Sequence, residues 1–185
     1  MHSSFSDLVH AWHDFHVLVG TASATLVGLM FVTGSIGANL FTEKNAAAMR
    51  AFISPTVVHF SAVLFICILA TIPSHTAKTL GILMLAIGAA GLVYTGRLWV
   101  HLFVQHKFNI DVIDRLFYAL LPVLGHILVL IAALLLLVMQ SETGLDVLAA
   151  ALITLLAAGI RNAWDMTLWI VIRTPAAGSP GESPG

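Results

Sequence analysis

Two arginines, one aspartate and three histidines stand inside stretches of this chain that are otherwise apolar: His59, Arg97, His101, His126, Arg161 and Asp165, with Tyr94 and Asn162 beside them. Arg97 and His101 are four residues apart, as are Arg161 and Asp165, so on a helix each pair shares one face. A lone charge in hydrocarbon costs at least about 2.5–3.5 kcal/mol on insertion scales, so these groups are expected to face one another or water. Two chemistries follow. The groups form a structural knot that clamps helices together, since a paired Arg–Asp removes most of the desolvation cost. Alternatively, they bind an ion, a proton or a polar solute. Two arginines against one carboxylate then leave a surplus positive charge that favours an anionic ligand or a lipid headgroup.

Other residues widen the choice. Arg115, Tyr118, Pro122 and His126 lie on one stripe, and a proline there frees a backbone carbonyl one turn below His126. Kinked helices with polar linings are common at water-filled cavities. His10, His13 and His16 recur every three residues and His75 is expected on the same side, so these four are candidate metal ligands. That spacing fans three rings around a helix, so only two of them converge on one ion: His10 with His13, or His16 with His75, together with Asp14. For a b-type haem, His59 with His101 is the best facing pair. No Gly-x-Ser-x-Gly, His-Glu-x-x-His, phosphate loop or pair of intramembrane aspartates is present, so no enzyme activity and no resident cofactor is expected, with haem b as the alternative.

These residues need helices in a bilayer to hold them. Of 185 residues, 59% are hydrophobic and only 9% charged, and the mean hydropathy is +0.98. A soluble domain carries about 25% charged residues. Eight basic against nine acidic side chains leave no surface for nucleic acid. The lone cysteine, Cys67, forms neither an internal disulfide nor a thiolate cage. The expectation is an all-α membrane bundle with spans at about 16–38, 54–74, 79–104, 115–139 and 146–173. Residues 1–15 form an interfacial segment with a Phe5, Leu8, Val9, Trp12 stripe, and residues 174–185, rich in Pro, Gly and Ser, a disordered tail. Ser54-Pro55 is expected to open the second span, with serine as N-cap and proline in the first turn. At 1.5 Å per residue, Arg161 and His126 then lie roughly 15 Å deep and Arg97 and Asp165 roughly 10 Å, with His59 and His101 nearer the interface. The first apolar run lacks the basic flank and cleavage site of a signal peptide.

Gly20, Ala24 and Gly28 form a small-residue ridge on the first span, and Gly81, Gly88, Gly91 and Gly96 a second on the third. Such ridges serve packing within the chain or a homo-oligomeric interface. The stretches Trp12-His13-Asp14-Phe15-His16 to Gly28-Leu29 and Gly159-Ile160-Arg161-Asn162-Ala163-Trp164-Asp165 resemble a group of small, uncharacterised bacterial five-span membrane proteins. The resemblance implies a bacterial inner-membrane location and no particular reaction. The favoured expectation is an oligomeric channel or transporter-like protein for a small ion or anionic solute. The alternatives are a haem- or metal-binding subunit of a redox complex and an accessory scaffold subunit.

Lys44, Arg50, Lys107, Arg115 and Arg173 fall on one side of the expected layout, against Lys78 on the other. Cytoplasmic loops retain basic residues, which places the N-terminus outside and the C-terminus in the cytoplasm. A reporter fused after Gly185 is therefore expected to give a cytoplasmic signal; a periplasmic signal reverses the orientation.

Overall fold

The computed structural model describes residues 5–37, 43–105, 117, 120–140 and 142–173. The tail 174–185, Tyr118, Lys107 and Arg115 lie outside the described residues, and so does the side chain of His101. The described residues are all-α, with five long helices and no strand among them. They are α1 (Phe5–Ile36), α2 (Glu43–Thr71), α3 (Ala77–Gln105), α4 (Leu121–Val138) and α5 (Glu142–Arg173). Four contain a stretch long and apolar enough to cross a membrane: Asp7–Ile36, Ala77–Leu98, Leu121–Val138 and Glu142–Ile172. The apolar part of α2, Pro55–Thr71, is shorter. This composition is compatible with an integral membrane protein.

The helix limits differ from the sequence expectation in three places, each for a local reason. A single helix carries both the Trp12 stripe and the first apolar run, since no Gly or Pro interrupts residues 5–19. α2 begins well before Ser54 and runs through Pro55, because Glu43 to Arg50 is rich in alanine and other good helix formers, and one proline removes only one backbone bond. In α4, the regular ladder starts at Leu121, and the backbone is already helical at Leu120, just before Pro122. Phe117 and Leu120, just before it, are π-helical, a widening often found where the regular ladder is interrupted. Thr76 opens α3 by accepting the backbone N–H of Thr79 at 3.2 Å.

α4 lies between α3 and α5, α1 packs on α2, and α2 packs on α5. The core is aliphatic: Val63, Ile66, Leu80, Met84, Val129, Leu136, Leu148, Leu152 and Leu155 are buried. The outer surface is also aliphatic, with Leu18 70%, Phe31 70% and Ile172 80% exposed, as a lipid-facing surface should be. Hydroxyls on that surface are satisfied by their own helices. Thr25 donates to the carbonyl of Thr21, Thr33 to Leu29, Ser35 to Phe31 and Thr154 to Ala150, at 2.7–2.9 Å.

The α1 ridge divides between two surroundings. A Cβ at Gly20 would stand 3.0 Å from the Cβ of Cys67, whereas Ala24 is exposed and a Cβ at Gly28 would meet nothing within 4 Å. Gly20 therefore serves the α1–α2 seam inside the chain, and Gly28 faces outward. Gly20→Val and Gly28→Val make the same change in helix propensity, so their difference isolates packing. Gly20→Val should cost about 1–3 kcal/mol more by overpacking, measured by thermal unfolding in detergent. Equal losses at the two positions would mean that the seam does not depend on Gly20.

Candidate functional site

At one level of the bundle, residues from all five helices meet around two imidazoles. His59 of α2 and His126 of α4 lie edge to face, with ring centroids 5.6 Å apart and planes at 66°. Both are buried, at 0% and 1% exposure. His126 reaches this position because α3 has no side chain at Gly91: a Cβ there would overlap the Cδ2–Nε2 edge of the ring. On the other side, Gly159 lets α5 close on α2, since a Cβ there would stand 2.5 Å from the Phe60 ring. Gly125 does the same between α4 and α5, where a Cβ would stand 2.6 Å from Leu155. α1 joins through Ser23, whose hydroxyl donates to the Phe60 carbonyl at 2.7 Å in a buried contact.

Hydrogen bonding in this layer is incomplete. The His126 Nδ1–H donates to the Pro122 carbonyl at 2.8 Å, which leaves Nε2 as the lone-pair nitrogen. That Nε2 is buried and has no hydrogen-bond partner among the described residues, and neither ring nitrogen of His59 has one there. Asn162, on α5 one turn beyond Gly159, is 2% exposed, and its Oδ1 also has no partner. Thr56 and Thr95 complete the buried polar set at this end of the bundle, and Thr95 donates to the Gly91 carbonyl at 2.7 Å. Among the described residues, none of the buried polar side chains is Lys, Arg, Asp or Glu.

The charged residues are more exposed than the imidazoles. Arg161 and Asp165 form an i, i+4 ion pair along α5, both partly exposed, and Arg161 also sits 5.9 Å from the centre of the Phe117 ring. Arg97 is on the exposed surface of α3 and Tyr94 is partly buried. Arg97 stands two turns before the end of α3, within reach of an interface by extension of its side chain.

The outer histidines are separated as well. His10 and His13 are exposed, and His13 pairs with Asp14 at 3.3 Å on the surface. His16 is buried, donates from Nδ1 to the Trp12 carbonyl at 2.9 Å and lies between the Trp12 and Phe15 rings. His75 takes the Leu69 carbonyl at 3.0 Å. Among the described residues, no three His, Cys, Asp or Glu side chains cluster as metal ligands. A cleft of about 260 Å³ between α1 and α2 is lined by His16, Gly20, Ala24 and Cys67 and is largely apolar. Compared with known protein families, with curated proteins and with solved structures, the chain finds no match.

Sequence spacing placed Arg161 beside Asp165 and singled out His59, His126 and Asn162, but carried no signal that His59 meets His126. It also passed over Ser23, Thr56 and Thr95. The fit of His126 to Gly91 predicts strong coupling. Gly91→Ala should lower stability by about 1–3 kcal/mol through overpacking and cost almost nothing in a His126→Ala background. Equal costs in both backgrounds, read by thermal unfolding, would show that Gly91 does not make room for His126.

Proposed function

We propose that this chain is a multi-span protein of a bacterial inner membrane, N-terminus outside and C-terminus in the cytoplasm, that passes a small ion through the bilayer by way of the layer around His59 and His126. One observation carries the reading: both His59 nitrogens, the His126 Nε2 and the Asn162 Oδ1 are buried without partners among the described residues. Each such group costs roughly 1–3 kcal/mol when left unsatisfied in an apolar interior. A purely structural polar knot would be expected to satisfy its members, as Ser23 and Thr95 are satisfied. Groups held ready for a passing ligand need not be.

The chemistry of the layer favours a cation or a proton. Imidazole lone pairs and an amide oxygen donate electron pairs, and among the described residues the buried polar side chains carry no fixed positive charge to attract an anion. The surplus positive charge that favours an anion in the sequence is supported less well here, since Arg161 is neutralised by Asp165 on its own helix and Arg97 lies on the surface. Gly28 and Ala24, facing outward, suit an oligomeric assembly of such units.

Proteoliposomes test the reading. Reconstituted protein should give proton or cation flux above protein-free vesicles, and His59→Leu and His126→Leu should each reduce it at least about tenfold, as loss of an intramembrane relay group does. Absence of flux in the parent, or full flux in both folded variants, overturns it.

A further inference from the structure

We propose that the cleft between α1 and α2 is a binding site for a membrane-soluble hydroquinone, which His16 holds by accepting a hydrogen bond from a ring hydroxyl. Cys67, in the cleft wall, lies about two turns along α2 from His59, so this is a separate site and does not depend on ion passage. The cleft has a volume of about 260 Å³. Small-molecule sites usually span about 300–1,000 Å³. A ring-sized head therefore fits, with its tail left in the bilayer. Gly20 and Cys67 approach closely within the cleft, and Val17 and Ile68 at its rim are 44% and 46% exposed on the surface that faces lipid.

Hydrogen bonding at His16 sets the sense of the contact. His16 lines the cleft and is only 2% exposed. Its Nδ1–H donates to the Trp12 carbonyl at 2.9 Å, so Nε2, on the ring edge farthest from Cβ, carries the lone pair. That nitrogen is buried and has no hydrogen-bond partner among the described residues. A buried acceptor left unsatisfied is costly, and a ligand O–H relieves that cost where a carbonyl oxygen cannot. A hydroquinone brings O–H groups. The oxidised quinone brings carbonyl oxygens in their place.

The remaining walls select a ring over other lipids. No Lys, Arg, Asp or Glu lines the cleft, so it offers no charged partner to a phosphate or a carboxylate. Thr21 lines it too, and its hydroxyl has no partner among the described residues, whereas Thr25 and Thr33 donate to the carbonyl one turn earlier. The Thr21 O–H thus supplies a donor for an oxygen of the ligand. Ala24 and Leu64 give apolar walls for the ring faces, and the Cys67 sulfur is a favourable neighbour for an aromatic edge. The step is binding alone, with no electron or proton transferred.

The test uses tag-free, full-length protein in detergent, titrated anaerobically with decylubiquinol and, separately, with decylubiquinone in a calorimeter. One quinol per chain is expected, bound at least about tenfold more tightly than the quinone, as loss of one hydrogen bond to a buried acceptor implies. His16→Phe keeps an aromatic ring and removes the acceptor, so the two forms should then bind equally. Ala24→Leu should fill the cleft and weaken both at least about tenfold, while Thr33→Val, outside the cleft, changes neither. No saturable quinol binding by the parent, equal affinity of the parent for the two forms, or an undiminished quinol preference in folded His16→Phe overturns the site. Decanol bound as tightly as decylubiquinol also overturns it, since a chain alcohol then suffices. The preference of the parent decides the matter even where a variant fails to fold.

Discussion

Helices surrounded by lipid gain nothing by hiding aliphatic side chains from one another, so their cohesion depends on how closely the backbones approach. In this chain that approach is set by missing side chains. Gly20 admits Cys67, Gly81 lies against Leu137, Gly88 against Leu130, Gly125 against Leu155 and Gly159 against Phe60. Where helices come this close, there is space for little else, and the shape of each gap decides which neighbour fits. At Gly91 the neighbour is an imidazole rather than a leucine, and a titratable ring is thereby brought into the interior.

The second consequence concerns polar groups. Several hydroxyls in the described residues are satisfied by the carbonyl three or four residues earlier on their own helix, which lets Thr and Ser occur on a lipid-facing surface at small cost. Ser23 differs, because its bond crosses to Phe60 on α2 and so ties two helices at the level of the histidine pair. The same region holds buried nitrogen and oxygen atoms without partners among the described residues. Tight packing and incomplete hydrogen bonding thus coincide in one layer, the combination expected where an interior is shaped for a ligand rather than for stability alone.

Fixed charge is managed differently. Arg161 and Asp165 pair along one helix, and the guanidinium also lies near the Phe117 ring. A charge that is satisfied within one helix leaves the centre of the bundle to neutral, titratable groups. The paired charge is partly exposed, whereas the two imidazoles are buried.

Composition and local spacing determined much of this protein on their own. Low charge and long apolar runs suffice for an all-α membrane bundle, because backbone groups in hydrocarbon must be satisfied within each helix. Spacing by four suffices to place Arg161 on Asp165, because that contact lies within one turn. The pairing of His59 with His126, the seat for His126 at Gly91 and the bond from Ser23 to Phe60 join residues from different helices. They depend on which helices are neighbours and how each is rotated about its axis, and the weakly amphipathic pattern of a chain apolar on nearly every face does not encode rotation. Only the packed bundle decided them, through the positions where a missing Cβ allowed two backbones to close.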